Sequence, residues 1–97
     1  MFSHSFNPFC AFLRDIFKDN DLLDFKFLDM DKLADGKKLE RALHEYSGQN
    51  TVPNVYIGGF HVGGYFDTTV NIKTGFLKTL LDRVEVAHGF LNEDERN

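Results

Sequence analysis

The stretch SGQNTVPNVYIGGFHVGG, Ser47 to Gly64, decides how the chain is to be read. Val55 to Ile57 and Phe60 to Val62 are two short runs of β-branched and aromatic residues, and Gly58-Gly59 between them permits the positive φ values of a tight hairpin turn. A hairpin is therefore expected here, with Pro53 just ahead of its first strand. Upstream, Leu39, Ala42, Leu43 and Tyr46 recur at the spacing of one helical face, and Gly48 supplies a C-terminal stop, so Lys37 to Gly48 reads as a helix. Downstream, Phe76, Leu77, Leu80, Leu81 and Val84 line a further helix.

Toward the N-terminus, Asp24 to Met30 alternates Phe25, Phe27 and then Leu28 with polar neighbours, which predicts a strand. From Pro8 to about Lys18, Phe9, Leu13, Ile16 and Phe17 recur at i, i+4, i+7 and i+8, a helical face. Asn7 caps that helix through its side-chain oxygen, and Pro8 suits the first helical position, where no N–H is needed. The order is helix, strand, helix, hairpin, helix. An α/β layer of this kind needs a parallel partner strand before the first helix, and only Met1 to Ser3 supply it, so the first strand is expected to be truncated.

A chain of 97 residues is expected to form one domain, burying roughly 60 to 70% of the surface its unfolded form exposes. Residues 1–89 are read as that domain and 90–97 as a charged tail. With 42% hydrophobic residues, 27% charged residues and a net charge of −4, the chain is neither disordered nor drawn to nucleic acid. No apolar run is long enough for a membrane span and no signal segment stands at the start, so a cytoplasmic location is expected. A single cysteine, Cys10, rules out an internal disulfide and a cysteine-based zinc site. His44 and His61 have no partners at ligand spacing, and no metal is expected.

Three ordered segments carry a resemblance to the glutaredoxin family. FSHSFNPFC, Phe2 to Cys10, is similar to the family's Phe-Ser-Lys-Ser-Tyr-Cys-Pro-Tyr-Cys. SGQNTVPNVYIGG is similar to its Thr-Gly-Gln-Arg-Thr-Val-Pro-Asn-Val-Phe-Ile-Gly-Gly, and HVGGYFDT, His61 to Thr68, to its His-Ile-Gly-Gly-Cys-Asp-Asp-Thr. The resemblance implies an α/β, thioredoxin-like fold: a central mixed sheet flanked by helices, with Pro53 as a cis proline beside a groove for glutathione. In that groove Thr51, Val52 and Pro53 would pair with the ligand's cysteinyl part as an added strand does. Gly64, Tyr65 and Asp67 would hold its γ-glutamyl end at a helix start, and His4 and Phe9 fall on two further contact positions.

The same resemblance marks what has changed. The family's nucleophilic cysteine falls on Asn7, which has no thiol. Cys10 matches the second, resolving cysteine, and with Leu13 and Phe17 at i+3 and i+7 it is expected to point inward, where a thiol acts as a small hydrophobe. The lysine before the motif is His4, the basic residue before Thr-Val-Pro is Asn50, the helical glutamine is Glu40, the motif tyrosine is Phe9, and Phe66 precedes Asp67 where Ser, Thr or Asp is usual. The expectation is a glutaredoxin-like protein of glutathione-linked thiol–disulfide exchange with that activity lost or much reduced, and with glutathione bound weakly or not at all. Two other readings stand beside it: an active monothiol oxidoreductase using Cys10, and a non-catalytic module holding a thiol ligand, a peptide or a partner protein in the groove. Iron–sulfur bridging, which needs the first cysteine, is disfavoured.

Overall fold

The computed structural model describes residues 1–91. The order is β1 (Phe2–Ser3), α1 (Pro8–Asp19), β2 (Leu28–Asp29), a 3₁₀ turn (Met30–Lys32), α2 (Gly36–Ser47), β3 (Val55–Ile57), β4 (Phe60–Gly63), α3 (Tyr65–Lys73) and α4 (Phe76–Arg83). β1 pairs parallel with β2, matching Phe2 to Leu28 and Ser3 to Asp29. β3 pairs antiparallel with β4. A single antiparallel bridge, Phe2 to Asn54, joins the two halves. The spatial order is therefore β2-β1-β3-β4, a mixed sheet whose central strand is two residues long.

The core lies on one side of that sheet. Leu13 and Phe17 of α1, Val55 and Val62 of the hairpin and Leu77, Leu80 and Leu81 of α4 form one cluster, completed by Leu22 and Phe90. Side chains alternate across a strand, so the residue after Val55 turns away from this cluster. Tyr56 meets the Tyr46 ring of α2 at 6.2 Å and Phe2 at 5.7 Å. Helices thus flank both faces. Gly58 and Gly59, at φ 54° and 80°, make the hairpin turn as the sequence predicts. Among the described residues no helix is long and apolar enough to cross a membrane.

Four expectations are corrected. The strand expected over Asp24 to Met30 pairs only at Leu28 and Asp29, because the strand beside it is itself two residues long; Phe25 packs edge-on against Phe17 instead. The face of α1 is centred on Cys10, Leu13 and Phe17, all buried, while Phe9 is exposed and Ile16 half-buried. On α2 only Leu39 and Leu43 of the expected face are half-buried; Ala42 and Tyr46 are exposed, since the sheet beneath offers little to cover. After the hairpin there are two helices, parted at Gly75 with φ 81°. α3 has no apolar stripe to announce it: Phe66 and Val70 are exposed and Thr68 is its buried residue.

Phe90 is buried in the core, so the packed unit reaches at least that residue. Of the tail expected at 90–97, residues 92–97 lie outside the described residues.

Candidate functional site

α1 begins where the sequence places its cap. Asn7 has extended backbone, φ −87° and ψ 120°, and its Oδ1 accepts from the backbone N–H of Phe9 at 2.9 Å and of Cys10 at 3.2 Å. First-turn N–H groups of a helix are the natural stabilisers of an anion placed there. Here two of them are engaged by the chain's own amide oxygen. The loop ahead of the cap is held by Asp31, which accepts from the Ser5 N–H at 2.9 Å and also from the Ser5 hydroxyl. These two bonds hold the Asp31 carboxyl below its usual range, the hydroxyl contributing most.

One turn on, Cys10 is fully buried. Burial pushes its thiol up from the ordinary value, outweighing the opposing pull of the His4 backbone and of Arg14. The inward orientation expected from its spacing is observed. A thiol that is inaccessible and reluctant to ionise is a poor nucleophile.

The rest of the site is a surface hollow of about 360 Å³ between the turn at Thr51–Pro53 and the start of α3. It brings together seven of the eight residues expected in the groove: Phe9, Thr51, Val52, Pro53, Gly64, Tyr65 and Asp67. The Val52–Pro53 bond is cis, as the resemblance implies. Among the described residues neither the N–H nor the C=O of Val52 has a hydrogen-bond partner within the chain. Gln49, which the sequence reading did not single out, keeps the turn in shape: its Nε2 donates to the carbonyls of Thr51 and Pro53, both at 2.9 Å. Its signal was only its place in the Ser-Gly-Gln-Asn run. At the far side Gly63 takes φ 121°, and a side chain there would overlap Asp67, whose carboxylate accepts from the Gly64 N–H at 3.4 Å.

His4, the eighth residue, lies elsewhere. Its Nε2 contacts Oε1 of Glu40 on α2, and the two line a separate hollow. The two positions that the resemblance matches to a family lysine and a family glutamine are thus in contact with each other. Four rings form one wall of the main hollow and the surface beside it: Phe12 to Phe9 at 6.0 Å, Phe9 to Tyr65 at 5.0 Å and Tyr65 to Phe66 at 5.6 Å between centroids. Phe12 is 50% exposed and Phe66 75%. Among the described residues no three His, Cys, Asp or Glu side chains are grouped closely enough to hold a metal ion.

A proline-led helix start, a cis proline with a free backbone edge before it, and a Gly-Gly turn into a helix describe a glutaredoxin scaffold, and comparison with known proteins agrees. The glutaredoxin family model matches residues 1–62. A glutaredoxin of Vernicia fordii is 43% identical over 82 residues, 84% of this chain and 77% of that protein. Glutaredoxin-C6 of Oryza sativa subsp. japonica is 41% identical over 81 residues, 84% of this chain and 71% of its own. In structure the chain is similar to wheat glutaredoxin, with a TM-score of 0.78 at 40% identity over 89% of this chain and 78% of that one. It is also similar to a buckwheat glutaredoxin solved as a complex with glutathione, with a TM-score of 0.83 at 29% identity over 88% and 76%. The chain belongs to the glutaredoxin family and has its α/β, thioredoxin-like fold.

Proposed function

We propose that this glutaredoxin has lost most or all of its glutathione-linked thiol–disulfide exchange and keeps its groove as a binding site. One observation carries the reading: the helix start holds Asn7, capping the first turn, and the only thiol of the chain, Cys10, is buried one turn further on. Exchange begins with a thiolate attacking a disulfide sulfur to form a mixed disulfide, and no accessible thiol stands where that attack would start. Use of Cys10 alone would require the first turn to open. The residues gathered at Thr51–Pro53 and at Gly64–Asp67 supply backbone groups of the kind that hold an extended thiol peptide, and the buckwheat relative was solved with glutathione. Glutathione itself is held weakly, since His4 is paired with Glu40, Asn50 carries no charge and Phe66 offers no polar contact.

The test is glutathione-coupled reduction of a small mixed disulfide. The parent chain is expected to add no rate above glutathione alone, and Asn7→Cys to restore part of the activity, because Pro8, Thr51–Pro53 and Gly63–Gly64 still frame a thiol at the helix start. Parent turnover that Cys10→Ser abolishes would make Cys10 the nucleophile and overturn the proposal.

A further inference from the structure

We infer that the groove takes an extended polypeptide segment bearing an aromatic or aliphatic side chain, in preference to glutathione. This rests on the reading above, that the site binds without turning over. The unpaired N–H and C=O of Val52 offer one donor and one acceptor to a strand-like ligand. Any extended peptide satisfies them, so the choice of ligand is made by the side chains around them.

Along the wall of the hollow stand the rings of Phe12, Phe9, Tyr65 and Phe66, in contact with one another, with Phe9, Phe12 and Phe66 exposed and Tyr65 half-buried against the core. Contiguous exposed rings beside a free backbone edge mark an interaction surface. A tripeptide whose only apolar group is a short thiol-bearing side chain leaves most of that surface wet. Outside this hollow, in a separate one, His4 contacts Glu40 of α2. A ligand that ends there in a carboxylate meets the Glu40 carboxylate, whereas a chain that continues past brings no charge. Lys37 and Arg41, which with Glu40 line a neighbouring hollow on α2, are the cations left to capture a terminal carboxylate; if they do, glutathione wins the comparison below. Asp67, the charged residue among those lining the hollow, favours a segment with basic flanks. The occupant is therefore an internal, extended segment with one or two aromatic residues and flanking lysines.

The 97-residue chain, labelled with nitrogen-15, is titrated separately with glutathione, with the blocked peptide acetyl-Lys-Phe-Val-Phe-Gly-Lys-amide, and with the same peptide carrying Ala for both Phe residues. The aromatic peptide is expected to bind roughly tenfold or more tightly than glutathione. Its shifts should centre on the amides of Val52, Tyr65 and Phe66. The Ala peptide and the Phe66→Ser variant should each lose roughly fivefold of that affinity. Phe66 is exposed, so Phe66→Ser leaves the fold intact and its spectrum reports this directly. Glutathione binding as tightly as the peptide, equal affinity of the Ala peptide, shifts centred away from Val52 and Phe66, or no saturable peptide binding at millimolar concentration would each overturn the inference. Turnover by the parent chain would sink the proposed loss of exchange and leave this ligand preference standing; a failed peptide titration would do the reverse.

Discussion

Oδ1 of Asn7 lies 3.2 Å from the backbone nitrogen of Cys10, so the cap residue holds in place the first turn that buries the chain's only thiol. The cap and the buried thiol are two ends of one device: the first fixes where α1 begins, and that start sets Cys10, Leu13 and Phe17 onto the core face. Removing the cap should therefore cost stability while creating no reactivity. Asn7→Ala is expected to lose about 1 kcal/mol in urea denaturation, the usual cost of a missing N-cap, and Asn7→Asp, which retains an acceptor oxygen at the positive end of the helix, to lose little. An Asn7→Ala chain as stable as the parent would mean that the two hydrogen bonds contribute nothing.

Cys10 should behave as a piece of core. Alkylation by iodoacetamide near pH 8 is expected to be slow in the native chain and to accelerate sharply in urea, because the thiol is enclosed and burial raises its pKa. A folded-state pKa raised above the unfolded one stabilises the fold at lower pH, and that contribution is lost as pH rises above the ordinary thiol value of about 8.5. Stability should thus decline on the alkaline side, and Cys10→Ala should remove that decline. Cys10→Ser, which buries a hydroxyl in an apolar setting, should cost roughly 1–3 kcal/mol. Equal alkylation rates in buffer and in urea would contradict the whole picture.

On the acid side two carboxylates set the expectation. Asp31 is held low by the Ser5 hydroxyl and then its N–H, and Asp82 by hydrogen bonds from Lys78 and then His88. A depressed folded-state pKa contributes stability that is present above the unfolded carboxylate value of about 3.9 and is lost as pH falls through the lower folded value. The urea midpoint should drop between neutral pH and pH about 3, and the double variant Asp31→Asn, Asp82→Asn should show a smaller drop. Both carboxylates are exposed, so the effect is modest and weakens in high salt. An unchanged acid limb in the double variant would assign the drop to other groups.

What was legible in the sequence was local. The Asn7-Pro8 start of α1 and the Gly58-Gly59 turn depend on backbone rules acting over two to four residues, and both are found where the sequence places them. The cis bond at Pro53 came from motif resemblance. Misread were features set by distant partners. The length of β2 depends on how far β1 runs beside it, and the exposure of Tyr46 and Ala42 on how much sheet lies under α2. The break at Gly75 hid in a segment whose first half carries no apolar stripe. At the site, seven groove positions were readable from three motifs, but Gln49 acts through two backbone carbonyls that no pattern announces. The pairing of His4 with Glu40, 36 positions apart, is visible only in three dimensions.

That pairing supplies the last prediction. In the Asn7→Cys background a thiol stands at the helix start, but the hollows beside α2 still present Glu40 in contact with His4, and Asn50, which carries no charge. His4→Lys, Glu40→Gln and Asn50→Arg together would remove a carboxylate and add two cations and a hydrogen-bonding amide. Hydrogen bonds to charged groups contribute roughly 1.5–3 kcal/mol each when sheltered. The His4 and Glu40 side chains are 25% and 40% exposed, so each new contact should fall below that range. Because the glycine carboxylate of glutathione is remote from the sulfur, these contacts act alike in the ground and transition states and should lower the KM for glutathione several-fold with kcat nearly constant. The same three changes in the parent, which lacks the thiol, should tighten glutathione binding without producing turnover. If instead kcat rises and KM stays put, the residues at positions 4 and 40 act on the new thiol of the Asn7→Cys chain rather than on the ligand's carboxylate.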